Sequence, residues 1–458
     1  MRTVIGLDLG TTTVTGVLLD THRQEVVHLI QRPNDSALKT AVPTRAEQDP
    51  RRLFTTVLGL LADLAARGNP SAGITVTGQM HGLICVDANG QPLTPLISWQ
   101  DQRTAEPLPG GSTPLEQLHA RSADLDWRAN GCPIAHGYGA ATYFWLVRRG
   151  RFPSATQRVC TLPDWVVGQL TGHLPATDPT LAASWGVYSL IDRDWNAAFI
   201  DRLELEPRLL PRVQPSGEQM GGLVQQVARK TGLPGGLPVF NVIGDNQASF
   251  LGSVADPVNT FLFNLGTGGQ ICWMAPEFEQ PTEAVETRPL PGGRFLRVGA
   301  SLCGGAAYAW LNRVVRNWLV DFGIDLDEKA VYERLDALAG NAKDTEGLEV
   351  RTTFMGTRGD PTVQAGAIMG ITLDNLRLGA LARATMVGQV DELRDLYQTH
   401  VKGATRHASA VATGGGVQKN PLLPGLIQER FGMPVQVPRQ REIAAIGAAR
   451  LALKQQPQ

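Results

Sequence analysis

Residues Val4-Ile5-Gly6-Leu7-Asp8-Leu9-Gly10-Thr11-Thr12-Thr13-Val14 run from an apolar strand straight into a glycine–threonine turn and out into a second strand. The pattern returns far downstream as Phe263-Asn264-Leu265-Gly266-Thr267-Gly268-Gly269. Each copy is an apolar run, one polar residue, then Leu-Gly-Thr. Gly10 and Gly266 open backbone angles closed to other residues. Successive N–H groups then converge on one anion, and a threonine hydroxyl adds a donor. One such turn is an ordinary connection between strands. Two in one chain predict two phosphate-gripping hairpins, hence two halves closing on one nucleotide.

Working outward, Val4–Leu9, Val14–Leu19 and Val26–Ile30 read as a three-stranded meander. Leu53–Ala66 has helical spacing, and Ile74–Thr77 is a short β-branched run of the kind found in buried strands. Leu162–Leu170 reads as a helix with Asp164 near its start and Gly172 at its stop. Pro234-Gly235-Gly236-Leu237-Pro238 is a linker-like cluster, which places a domain boundary near residue 243. On this reading Val239–Ile243 opens the second half. Thr260–Asn264 and Gln270–Met274 flank its glycine–threonine turn. Cys303–Leu319, Leu376–Leu396, Leu422–Phe431 and Ile443–Leu453 read as helices. Strands alternating with helices predict an α/β protein of two layered domains, 1–243 and 244–458.

Bulk properties narrow the classes. A chain of 458 residues exceeds one ordinary core. With 42 basic and 43 acidic residues the net charge is −1, which argues against a nucleic-acid partner. No apolar stretch is long enough to span a bilayer, and no secretory leader is legible. The five cysteines are odd in number, scattered and without a CxxC, so neither a disulfide framework nor a zinc site is expected. Reduced thiols in a cytoplasmic protein are the expectation. Nothing in the sequence sets an oligomeric state.

Several residues could carry chemistry. Asp8 ends its strand immediately before a phosphate turn and would repel a phosphate unless a cation stood between them. Mg²⁺ held through water by one or two carboxylates resolves the conflict and favours Mg–ATP over a bare anion. No GxxxxGK[ST] occurs, so a P-loop is excluded. Gly414-Gly415-Gly416 after an apolar strand, with Asn420 beyond it, is either a plain turn or a place where a nucleotide approaches the backbone. Asp245 either caps a helix starting near Gln247 or accepts a proton from a hydroxyl nucleophile. Gln79, Met80 and His81 lie where two strand candidates meet. Trp99 and Asp101 follow the next strand. An aromatic face with hydrogen-bonding neighbours suits a polyol, although a core tryptophan and a turn histidine fit the same residues.

Taken in order, Asp8-Leu9-Gly10-Thr11-Thr12, Gly78-Gln79-Met80-His81-Gly82, Trp99-Gln100-Asp101-Gln102-Arg103, Gly244-Asp245, Leu265-Gly266-Thr267 and Gly414-Gly415-Gly416 span nearly the whole chain. Together they resemble the FGGY family of carbohydrate kinases, of the actin-like (ribonuclease H-like) superfamily. That resemblance implies two actin-like domains with a nucleotide and sugar cleft between them. It makes ATP the phosphoryl donor, a sugar the acceptor and Mg²⁺ the metal, held through water by Asp8 and Asp245. It makes Asp245 the catalytic base and places Thr11, Thr12, Thr13, Gly266 and Thr267 at the phosphates. Gly305, Gly415 and Asn420 are placed at the nucleotide, and Met80 and His81 at the sugar, with Gln79, Trp99 and Asp101 as cleft neighbours. His136–Leu146, Ala182–Gly186, Gly244–Ser249 and Gly299–Leu302 are most similar to family members acting on the seven-carbon ketose sedoheptulose. The Gln-Met-His segment is equally similar to those acting on xylulose. Two departures stand out: Lys419 replaces a small polar residue, and Asn264 stands where the first copy has Asp8.

Overall fold

The computed structural model describes residues 2–68, 70–357, 365–401, 407–440 and 442–453. Two mixed β-sheets organise the chain. In the first, Thr3–Leu9 is flanked by the antiparallel strand Thr13–Asp20 and the parallel strand Pro70–Gly78. Val26–Pro33 completes the meander at one edge. In the second, Thr260–Leu265 is flanked by antiparallel Gly269–Ala275 and parallel Ser409–Thr413. Arg294–Ser301 and Val285–Leu290 extend that meander. Asp8 pairs with Thr15 and Thr77, while Asn264 pairs with Gln270 and Thr413. The two Leu-Gly-Thr turns therefore hold equivalent places in a duplicated topology.

The apolar runs fill the core on schedule. Val4, Ile5, Leu7 and Leu9 are fully buried, as expected of a central strand covered on both faces. Leu53, Val57, Leu60, Leu61 and Leu64 form the buried stripe of helix Pro50–Arg67, which Asp49 caps through the N–H groups of Arg51 and Arg52. Helix Leu162–Thr171 carries a Thr161/Asp164 capping box and ends at Gly172 in the left-handed region.

One expectation is corrected. Val239–Ile243 does not open the second sheet. Pro238–Phe240 and Ile243–Gly244 pair in parallel with Pro70–Gly78 of the first. An apolar run reports burial but not which sheet buries it. The chain then crosses through helix Asp245–Ser253, whose Phe250 packs with Leu262 and Cys272 and whose Ala248 packs with Ala444 and Ala448. Helix Ile443–Leu453 crosses back and lies on the first sheet through Ala445, Ile446, Ala449 and Ala452.

These two helices meet backbone to backbone. A Cβ on Gly447 would overlap the Ala248 carbonyl oxygen. Gly447→Leu is therefore expected to destabilise the protein by more than about 3 kcal/mol, above the usual overpacking range because backbone must give way. A denaturant titration reads this as a lowered midpoint, and an unchanged midpoint would show that the helices part freely.

Candidate active site

Asp8 sits at the exit of its strand, half-buried. Its carboxyl is pushed up to about 7, first by burial, then by the charges of Asp245 and Glu442. Asp245 is the first residue of its helix. Gly244 occupies the cap position and no side chain caps the helix, so the capping role open to Asp245 is not the one it plays. Burial lifts its carboxyl to about 6, against the opposing pull of a bond from the Asn246 backbone and of the Arg288 charge. The charges of Asp245 and Glu442, from distant parts of the chain, thus both act on Asp8. Sequence reasoning missed Glu442. It sits just ahead of the last helix and accepts a hydrogen bond from Thr15 at 3.3 Å.

The backbone around Asp245 is braced. Gly244 N–H donates to Thr180 Oγ1 at 2.7 Å, and Thr180 in turn donates to the buried Asp178 at 2.8 Å. Ser216 donates to the same carboxylate at 2.5 Å. Met80 closes against Gly244, where an added Cβ would come within 2.8 Å of the Met80 sulfur.

The first glycine–threonine turn is held open from outside. Asn34 donates to the carbonyls of Gly10 and Thr11 at 2.9 and 3.1 Å, and its own N–H bonds to Thr12 O. Thr11 and Thr13 are half-buried and Thr12 is exposed. Trp99 is no core residue. It is 45% exposed, and its indole N–H donates to Thr11 Oγ1 at 3.0 Å. Gln79 is buried, with its N–H on Leu9 O and its amide on Gln48.

His81 has a left-handed backbone (φ 72°), uncommon for a residue with a side chain. Its N–H donates to Ser184 Oγ at 3.1 Å, and its Nδ1 lies 2.6 Å from Ser184 O. A carbonyl only accepts, so Nδ1 carries the proton. The ring stacks on Tyr138 at 4.3 Å. Met80, His81, Thr180 and Ser184 line a tight pocket whose remaining space holds about one water. The far wall is Glu286–Arg288 of the second sheet.

Asp101 does not join this pocket. It is fully buried and accepts bonds from the Arg103 side chain at 2.7 and 2.9 Å and from Ala46 N–H at 2.8 Å. Arg103 also pairs with Glu47 and stacks over Trp145. The cleft neighbour expected here is instead a brace beneath the turn that carries Trp99, just after strand Leu96–Ile97.

The second turn opens onto a cavity of about 880 Å³. Gly266, Thr267, Gly305, Gly415 and Asn420, all expected at the nucleotide, line it together. Gly305 N–H bonds to Gly266 O at 2.8 Å, and a Cβ on Gly305 would overlap that oxygen. Gly414 has φ 96° and a Cβ there would overlap Leu265 O, so the triple glycine is a close backbone approach followed by a one-turn helix, Gly415–Lys419. Asn420 donates to Asp336 at 2.8 Å, as does the Tyr308 hydroxyl at 2.7 Å. Tyr308, on the helix that begins with Gly304 and Gly305, and Tyr332 and Asp336, on helix Glu328–Asn341, also line the cavity. Among the described residues no group of three or more His, Cys, Asp or Glu forms a metal cage, and no helix is long and apolar enough to cross a membrane.

Carboxylates at a seam, a closed polar pocket on one side and a glycine-lined cavity on the other agree with what the chain is similar to. It is 28% identical to human (Homo sapiens) sedoheptulokinase over 98% of this chain and 97% of that protein. It is 29% identical to glycerol kinase of Thermus brockianus over 98% and 89%. The crystal structure of xylulose kinase from Rhodospirillum rubrum superposes with a TM-score of 0.85 at 25% identity, covering 98% of this chain and 89% of that one. Residues 3–252 match the N-terminal domain of the FGGY family of carbohydrate kinases, and residues 262–455 match its C-terminal domain. With both domains matched along nearly its whole length, the chain belongs to the FGGY family of carbohydrate kinases.

Proposed function

We propose that the protein transfers the γ-phosphoryl group of ATP to a primary hydroxyl of a ketose, with sedoheptulose, giving sedoheptulose 7-phosphate, as the first substrate. The observation that carries this chemistry is the place of Asp245. Gly244, just before it, packs against Met80 of the tight pocket, and the Asp245 charge acts on Asp8 at the strand end. A hydroxyl entering the pocket meets Asp245 as its proton acceptor. The seven-carbon sugar is supported by the sedoheptulokinase relative, which aligns almost end to end. Residues 1–243 would supply the sugar site and first phosphate loop, and 244–458 the base, the second loop and the adenosine side.

The residues fit Mg²⁺. Asp8 and Asp245 crowd two negative charges together, which a cation relieves. When bound, the ion draws charge from the transferring phosphoryl group. Asp8 would hold it through water with Asp245 opposite. Thr11, Thr12, Thr13 and Thr267 would grip phosphates, and Gly305, Gly415 and Asn420 would line the nucleotide. Closure of the two halves would exclude water and align the hydroxyl.

The glycerol and xylulose kinase relatives favour a second reading, in which another ketose or a shorter polyol is the acceptor. ADP release measured with sedoheptulose, xylulose, ribulose and glycerol separates the two. The expected result is the highest kcat/KM on sedoheptulose. Equal, poor rates on all four would remove it.

A further inference from the structure

The wall of the sugar pocket opposite His81 comes from the other half of the protein. Strand Val285–Leu290 is the outer strand of the second sheet, and it is stitched across to the first half by the bond from Thr287 N–H to Gly131 O at 3.0 Å. Side chains alternate along a strand. Thr287 lines the pocket too, but its hydroxyl is taken up by Glu279 O and Arg297. Glu286 and Arg288 share the other face. Arg288 Nε and Nη2 both bond to Glu286 Oε2, at 2.8 and 2.7 Å, and the two residues are only 5% and 8% exposed. Arg288 lies near enough to Asp245 for its charge to favour the carboxylate.

A buried ion pair is poor cement, because desolvation offsets most of its attraction and apolar residues would pack as well. Here the pair lines a pocket with Met80, His81 and Ser184 whose space holds about one water, so a sugar chain enters it only as the two halves part. The pair's own charges cancel, so the negative balance of Asp8 and Asp245 remains, and an anionic sugar acid is disfavoured against a neutral one. A guanidinium offers several donors in a fixed plane, which suits oxygens spaced along a polyhydroxy chain.

We propose that Arg288, held by Glu286, is a substrate-contacting specificity residue that donates to hydroxyl oxygens of a neutral polyhydroxy chain whose reacting end lies at Asp245. The inference rests on the reading of this pocket as the sugar site. It adds a contact delivered by the second sheet, so sugar binding draws on both halves.

The test is ADP release by the full chain with Mg–ATP, using sedoheptulose, xylulose, glycerol and gluconate. Arg288→Met is expected to raise the sugar KM by about tenfold or more, the worth of a charge-assisted hydrogen bond, while the ATP KM stays within about twofold. The loss should be larger for sedoheptulose than for glycerol, and Arg288→Lys should recover part of it. Arg288→Met leaves a buried carboxylate alone, so the double variant Glu286→Gln/Arg288→Met keeps the test open if the single one fails to fold. An unchanged sugar KM in a folded variant, or sugar and ATP KM rising together, would overturn the proposal. The wild-type panel decides the substrate reading. The ratio of variant to wild type on the best sugar of that panel decides this one.

Discussion

Asp245→Asn is expected to lose about 10²–10⁴-fold in turnover, the contribution of a positioned general base, and to unfold at a higher temperature than the wild type. The loss follows from removing the proposed proton acceptor. ATP affinity should hold, because the glycine-lined cavity is formed by other residues. The gain in stability follows from the sign of the carboxyl's shift. Its pKa is 3.8 in the unfolded chain and about 6 in the folded one. Between those values the folded state binds more protons than the unfolded state, so stability falls as pH rises through that window. Above about 6 the cost is constant, at most roughly 3 kcal/mol from a shift of about two units. Asparagine carries no charge and escapes that cost, so the difference in melting temperature should be largest above pH 7 and vanish below pH 4. Near-normal turnover would remove Asp245 from the base role. A lower melting temperature at pH 8 would mean that the carboxylate is fully satisfied where it sits. A site that is costly to fold and needed for turnover is the pattern expected of groups kept for chemistry.

The features legible in the sequence were those with a local physical signature. Leu9-Gly10-Thr11 and Leu265-Gly266-Thr267 each announce strand, glycine turn and hydroxyl within a few residues, and the sheets place them equivalently. Helix Ile443–Leu453 was readable from its run of small and apolar residues. What escaped lacks such a signature. Glu442 meets Thr15 across 427 positions, and no short window contains both. Glu286 and Arg288 look like any charged pair two apart on an exposed edge strand, and only the neighbouring half buries them. Asp101 was misplaced although the partner that neutralises it stands two residues along. An arginine at that spacing, able to fold back on the carboxylate, was a signal for a brace. Val239 went to the first sheet because its apolar run is equally suited to either. Chemistry written in one turn can be read alone, whereas chemistry assembled from two halves requires the fold.

The pH profile offers a second large effect. Asp8 and Asp245 repel each other, and both are raised, to about 7 and about 6. Both must be ionised for the proposed reaction: Asp245 to accept the proton, and Asp8 to support the ion at the phosphates. The acid limb of kcat/KM reports groups of the free enzyme. It should therefore steepen from a slope of one below about pH 7 to two below about pH 6, with the apparent values belonging to the pair. Between pH 8 and pH 5 the expected fall is roughly 10³-fold, about 10² from the first group and 10 from the second. Asp8→Asn should reduce the limiting slope to one and shift the limb toward lower pH, since the group that titrates near 7 is gone and the one near 6 remains. Raising Mg²⁺ should move the wild-type limb the same way, because the ion competes with protons for the carboxylates. A limb that is insensitive to Mg²⁺ and keeps its slope in Asp8→Asn would mean that Asp8 is a bystander. The asymmetry between the two halves would then lose its explanation. Asn264 holds the place of Asp8 in the second sheet, where it accepts a bond from Thr413 at 3.4 Å, and it brings no charge there. An uncharged second turn and a charged first one are what the proposed handling of the cation at the first turn predicts.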